Sequence, residues 1–321
     1  MPRFDPRLVG ALGASKVAAF GSRRLGRGGG TSAPGLIADR IDPALLTKLT
    51  AQLEHGAIVV AGTNGKTTTS RMIADILEHA GHRVVHNRSG SNLVRGVVST
   101  FAAQASIAGQ LRGEIAVIET DEAAFPDVVR LVRPRMILLN NLFRDQLDRY
   151  GELDTIARKW RASLLELDAS TTIVVNADDP ALVAVSSDLS ACRMTFGLNE
   201  GRYRLDALPH AADAATCRVC GADLAYHALY VSHLGDWYCP SCGRARPSLH
   251  LSGHDIELHG VDSLAMSTTD PEIQRTERYE IGVPGLYNAY NTLAAVTVAR
   301  AVGIEHRVIR EALAAFRSAF G

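Results

Sequence analysis

The run Gly62-Thr63-Asn64-Gly65-Lys66-Thr67-Thr68 has the residue types and spacing of a phosphate-binding loop. Glycines let the backbone approach phosphate oxygens closely, and N–H groups at a helix N-terminus face the anion. Lys66 would neutralise charge on the β- and γ-phosphates, and Thr67 would offer its hydroxyl to Mg²⁺. The general phosphate loop has a glycine five residues before its Gly-Lys pair. Here that position is Val60, so the loop is a shortened form. A lone Gly-Lys-Thr fits an ordinary turn before a helix equally well. The apolar strand before it and the helical pattern after it favour phosphate.

A Mg²⁺-nucleotide site also needs hard oxygen ligands facing the loop. Residues 114–120 form an apolar stretch closed by Glu119, with Asp121 and Glu122 just beyond. Ligand-binding groups gather at the C-terminal ends of parallel strands, which favours Glu119 as a metal ligand over a solvated acidic turn.

Four of the five cysteines form two C-x-x-C pairs, Cys217/Cys220 and Cys239/Cys242, with 18 residues between them. Four thiolates on two tight knuckles satisfy tetrahedral Zn²⁺, and with every position filled by protein the metal would be structural. Gly221 and Gly243 stand where each knuckle needs a left-handed residue. A thiol–disulfide role is the rival, and it explains two pairs at this spacing less well. His227, His233, His250 and His254 are read as surface residues, and Cys192 as a buried small residue. The segment carries Asp213, Asp223 and Asp236 and is not markedly basic. A docking or rigidifying role therefore fits it better than nucleic-acid binding.

These groups need a scaffold. Residues 57–61 read as a strand, followed by the loop and a helix from Lys66 that stops at Gly81. Strands are expected around 83–87, 114–120, 135–141, 171–179 and 193–198. Helices are expected at about 42–53, 95–109 and 152–167, with a glycine-rich loop at 23–35. Apolar strands alternating with helices give an α/β fold, a parallel sheet covered on both faces. The pattern breaks at about 203–262, which reads as a small β insert, and helical periodicity returns after 286.

The chain is 46% hydrophobic and 21% charged, with 34 basic and 34 acidic residues. Zero net charge argues against nucleic-acid binding driven by bulk charge. No apolar run is long enough for a membrane span. Lys16 makes the start too polar for a good signal peptide, so an amphipathic helix that packs on the core or leans on a membrane surface is expected. A cytoplasmic location follows from these features.

The stretch from Gly62 to Thr69 resembles the signature of the Mur ligases and folylpolyglutamate synthases. The resemblance implies a ligase that phosphorylates a carboxylate with ATP and lets an amine attack the acyl phosphate. It implies a Mur-ligase central ATP-binding domain over 51–304, with a zinc-ribbon insertion at 205–250. An N-terminal segment would cover 1–50, and 305–321 would be the junction to a C-terminal domain beyond the chain. That domain would complete the ATP site, so the chain alone is expected to bind nucleotide at best weakly and to be inactive.

The same resemblance makes Glu119 the Mg²⁺ ligand. It puts Asp178, in the turn 176–180, and Asn288 and Asn291, in 284–295, at the nucleotide. Taken singly, those residues also suit an Asx turn and helix caps. In the stretch 140–151 the family has a histidine that ligates a second Mg²⁺, where this sequence has Gln146. Asp145 and Asp148 either position metal or cap the next helix. Lys159 lies about one residue short of the place of a carbamylated lysine.

The short N-terminus and the cysteine insert narrow the resemblance to the branch that amidates the D-glutamate α-carboxylate of lipid II. Its members work with a separate glutaminase subunit, GatD. The alternatives are another Mur-type amide ligase similar to folylpolyglutamate synthase, a non-catalytic zinc-ribbon scaffold with a vestigial loop, and a nucleic-acid-directed NTPase. The insert counts against the first, intact Lys66, Thr67 and Glu119 against the second, and neutral charge against the third.

Overall fold

The computed structural model describes residues 5–24, 32–87, 91–143, 152–208 and 216–317. Three helices come first: α1 (Pro6–Arg24), α2 (Ser32–Ile41) and α3 (Leu45–Thr50). The alternating part follows as β1 (Ala57–Ala61), α4 (Lys66–His79), β2 (Val84–His86), α5 (Val94–Gln104), β3 (Ile115–Glu119) and α6 (Phe125–Val132). It continues with β4 (Met136–Leu139), α7 (Glu152–Leu165), β5 (Thr172–Asn176), α8 (Pro180–Val185) and β6 (Cys192–Leu198). A hairpin, β7 (Ala225–Val231) and β8 (Leu234–Tyr238), precedes β9 (Leu251–His259), β10 (Ser263–Asp270) and β11 (Arg275–Ile281). Helices α9 (Leu286–Ala301) and α10 (His306–Ala315) end the described chain.

Nine strands form one sheet in the order β11-β10-β9-β6-β5-β4-β1-β3-β2. From β2 to β9 every pairing is parallel, and β10 and β11 extend the sheet antiparallel. The α/β architecture expected from the sequence is therefore present. All five residues of β1 are buried, as befits a central parallel strand covered on both faces. Side chains alternate between faces, so β1 feeds two cores. Ile58 and Val60 join Met72 and Ile76 of α4 and Leu293 of α9. Ala57, Val59 and Ala61 join Leu12, Leu46, Phe101, Phe125 and Trp160 on the opposite face.

Several expectations need correction. The segment read as one β insert is split: β7 and β8 stand apart as a two-stranded ribbon, while β9 to β11 belong to the main sheet. Helix α2 begins inside the segment read as a glycine-rich loop, and α5 stops at Gln104 rather than near 109. Helix α8 follows directly on the turn expected at 176–180. Asp179 caps it, accepting the N–H groups of Ala181 and Leu182 at 2.9 and 3.2 Å, with Pro180 in the first turn. Among the described residues no helix is long and apolar enough to cross a membrane.

Candidate nucleotide site and cysteine cluster

The parallel strands β1, β3, β4 and β5 all run toward one sheet edge, where Gly62, Glu119, Asn140 and Asn176 end or follow them. Gly65 caps α4 with a left-handed φ of 77°. A Cβ there would lie 2.2 Å from Asn291 Oδ1, so glycine is required twice over. At Gly62 a Cβ would sit 3.1 Å from Asn140 Cβ. The loop thus lies directly on asparagines.

Those asparagines brace it. The Asn64 N–H donates to Asn141 Oδ1 at 2.8 Å, and Asn141 Nδ2 donates to Asn64 O at 2.9 Å. The Thr63 N–H donates to Asn141 O at 3.0 Å. Thr63 Oγ1 accepts the Phe143 N–H at 3.0 Å and donates to Phe143 O at 3.1 Å. Asn140 Nδ2 donates to Asn291 Oδ1 at 3.1 Å, and Asn291 Nδ2 donates to Asn288 Oδ1 at 2.9 Å. Asn288 Nδ2 donates to Pro284 O at 2.6 Å. The N-terminus of α9 therefore meets the loop, with buried Asn291 behind Gly65 rather than exposed to a base.

Lys66 opens α4. Its Nζ lies 2.9 Å from Thr63 O and 3.3 Å from Glu122 Oε2, an ion pair in which both side chains are mostly covered. Glu119 is 3% exposed. Burial raises its carboxyl above the ordinary range, against the opposing pull of Thr67, Lys66 and Asn92, and nearby Glu122 adds to the rise. A buried carboxylate next to a hydroxyl and short of positive charge suits a hard divalent cation. Thr67 and Glu119 are the side chains that would hold it. Asn87 fixes the strand end, exchanging hydrogen bonds with the Glu119 N–H and C=O at 2.8 Å each. Thr68 lies half-buried in the first turn of α4.

Asp178 is placed differently from the nucleotide contact expected of it. It is fully buried, and its oxygens accept from Arg246 Nη1 at 2.9 Å, the Leu198 N–H at 2.9 Å and Tyr290 O–H at 2.7 Å. The carboxylate ties β5, β6, α9 and the segment after the ribbon together. Asp145, Gln146 and Asp148 lie outside the described residues. Lys159 is exposed on α7, whereas its neighbour Trp160 is buried and donates to Glu122 O at 2.9 Å.

The sulfurs of Cys217, Cys220, Cys239 and Cys242 all lie within 4.8 Å of one another. Gly221 and Gly243 take φ of 75° and 71°, and their N–H groups donate to Cys217 O and Cys239 O. Four soft donors on two knuckles fit tetrahedral Zn²⁺. Two residues here differ from expectation. His233 is fully buried rather than on the surface, and Cys192 is exposed at the start of β6 rather than buried. The first sits at the hairpin turn, which inserts into the main body. The second starts a strand that is buried only from Thr195 onward.

The sequence signal for Asn87, Asn140 and Asn141 is only their position just past strand ends, and for Asn92 its position just before α5; an asparagine in either place is usually a turn former or a cap.

Residues 60–235 match the family model of the Mur ligase middle domain. The chain is 32% identical to a lipid II isoglutaminyl synthase (glutamine-hydrolyzing) subunit MurT of Staphylococcus aureus (strain COL), covering 96% of the chain and 66% of that relative. The subunit of the same name from Streptococcus pneumoniae (strain ATCC BAA-255 / R6) gives 32% identity with the same coverage. The chain thus spans 66% of the length of these curated relatives. Among solved structures, a pseudomurein peptide ligase type C from Methanothermus fervidus superposes with a TM-score of 0.64 at 22% identity, over 82% of this chain and 50% of that one. That likeness bears on the fold.

Proposed function

Because the chain belongs to the Mur ligase family, we propose that it is the ATP-dependent synthetase part of a lipid II isoglutaminyl synthase. The observation that carries this is the 32% identity, over nearly the whole chain, to subunits with that name. The site supports the same chemistry. A carboxylate oxygen of the D-glutamate α-carboxyl attacks the γ-phosphorus of ATP, the β–γ bridging bond breaks, and ADP leaves. Ammonia, supplied from glutamine by the partner glutaminase GatD, attacks the acyl phosphate carbon and expels phosphate, leaving D-isoglutamine.

Lys66 leaves Glu122 to neutralise phosphate charge, while the N–H groups of the loop and of the first turn of α4 face the phosphate oxygens. Mur ligases use ATP and Mg²⁺. Thr67 and Glu119 would hold the cation, which would supply charge neutralisation for the transferring phosphoryl group. Asn288 and Asn291 set the nucleotide end of α9. Residues 51–304 form the ATP-binding domain and 205–250 its zinc-ribbon insertion. The protein works in the cytoplasm, at the membrane face that presents lipid II.

The test is an amidation assay with the full-length protein, GatD, lipid II, Mg·ATP and glutamine, read by mass spectrometry. Replacement of one hydroxyl by an amino group per stem peptide, abolished by Lys66→Ala, is the expected result. ATP consumption with unchanged lipid II would keep the ligase chemistry and refute the substrate.

A further inference from the structure

We propose that the cysteine-bearing hairpin is a wedge that sets the phosphate loop, with His233 as the positioning residue, so that metal at the four cysteines and nucleotide at the loop bind with mutual dependence. This rests on the nucleotide and metal assignments above. Cys217 and Cys220 precede β7 and Cys239 directly follows β8, so the cluster closes the open end of the hairpin. The closed end is a turn in which Ser232 takes a φ of 51° and His233 points into the main body. The His233 ring is fully buried, and among the described residues neither nitrogen has a hydrogen-bond partner. Nε2 lies 3.4 Å from Asp179 Oδ2, an ion-pair distance without hydrogen-bond alignment. Burying an imidazole this way is unfavourable unless its position serves something.

Its neighbours say what it serves. The ring packs on Phe143 with centroids 4.7 Å apart. Asp179 Oδ2, the atom nearest His233, accepts the Leu142 N–H at 2.7 Å. One ring therefore supports both Leu142 and Phe143, and Phe143 exchanges two hydrogen bonds with Thr63 of the phosphate loop. Ala228, Tyr230, Val231 and Leu234 seat the closed half of the hairpin in the main core, and the Gly235 N–H donates to Asp178 O at 3.0 Å. Toward the open end the fastening is Trp237 Nε1 donating to Ala177 O at 3.0 Å and an Arg218–Asp154 ion pair at 2.6 Å. At the open end Cys217 and Cys239 are packed with Trp237 and with Val183 of α8, the helix that Asp179 caps, so metal at the cysteines fixes both strand ends and the Asp179 side of the His233 seat. Binding linkage is reciprocal: nucleotide on the loop must tighten metal by the same factor.

The experiment follows Zn²⁺ release from the zinc-loaded full-length protein to a colorimetric chelator, with and without saturating Mg·ATP, beside calorimetric ATP binding. The expected result is release slowed roughly 5-fold or more by Mg·ATP, in the usual range of such coupling. Lys66→Ala removes the slowing. His233→Ala still loads zinc but loses the slowing, and His233→Phe, which keeps a ring on Phe143, retains it. ATP that binds without changing release, or full slowing in His233→Ala, overturns the proposal and leaves the proposed function standing. If His233→Ala does not fold, the unmodified protein decides by its two release rates. Failure of ATP to bind at all refutes the nucleotide assignment and this inference together.

Discussion

Glu119→Gln separates what the buried carboxylate does for metal from what it does for the fold. In the protein free of metal and nucleotide, Glu119 is 3% exposed and burial holds its carboxyl above the ordinary value of 4.5. A carboxyl raised on folding contributes its stability when protonated, and that stability is lost as pH rises from the unfolded value through the folded one. The glutamine variant, which keeps the shape and has no charge to bury, should therefore melt higher than the parent at mildly alkaline pH in a chelating buffer. The difference should shrink as pH falls through the window between the raised folded value and 4.5, and vanish below it. Mg·ATP binding should move the other way. Loss of a charged ligand removes roughly 1.5–3 kcal/mol, which weakens Mg·ATP roughly 10- to 150-fold in calorimetry. An unchanged affinity would refute the metal assignment. A variant that melts lower than the parent at alkaline pH would refute the sign, because Lys66, Thr67 and Asn92 would then outweigh burial.

Gly65→Ala places a side chain at a left-handed φ of 77° and a methyl 2.2 Å from Asn291 Oδ1. The free loop relieves about 1–2 kcal/mol of backbone strain by leaving the phosphate-binding geometry, so ATP affinity should fall roughly 5- to 30-fold while circular dichroism stays that of the parent. Arg246→Ala strands the Asp178 carboxylate, which is fully buried, and should lower stability by about 3–5 kcal/mol in denaturant unfolding. A drop below 1 kcal/mol would mean that the Leu198 and Tyr290 donors suffice without the cation. With zinc held, a maleimide should label Cys192 alone at a fast rate, and a chelator should add the exposed Cys220 and Cys242. Fast labelling of Cys220 before chelation would exclude a filled four-thiolate site.

The alternating part of the fold was legible because its strands are short apolar runs and its helices carry one apolar face. The Gly65-Lys66-Thr67 turn, the strand-end Glu119 and the cysteine pairs were legible because each is local in sequence. What escaped depends on distance. Nothing near residue 178 says that its carboxylate will meet Arg246 and Tyr290, and an Asn-Ala-Asp-Asp-Pro run reads equally well as a turn or as the cap of α8. His233 resembles any polar residue in a hairpin turn until the hairpin is docked. Strand β11 keeps only one face in the core, with Tyr279 and Ile281 buried between charged neighbours. That pattern is weak beside the continuous runs of β1 and β3.

The shortened loop and the asparagine brace have one physical cause. In the general loop, backbone turns back on itself over more residues and satisfies part of its own hydrogen bonding. Here β1 continues through Ala61, so the turn begins only at Gly62 and reaches the helix at Lys66. The two residues between the two glycine hinges cannot pair their own N–H and C=O groups, and such groups left unpaired are costly when covered. Asn141 takes both backbone groups of Asn64, and Phe143 takes the hydroxyl of Thr63. Asn140 and Asn291 close the underside against Gly65. A side-chain amide supplies donor and acceptor together and adds no charge. A carboxylate in the same place would repel the phosphates, and a lysine would compete with Lys66. The loop is therefore short in sequence because the end of β4 and the start of α9 complete it in space, and its motif cannot be recognised in full without them.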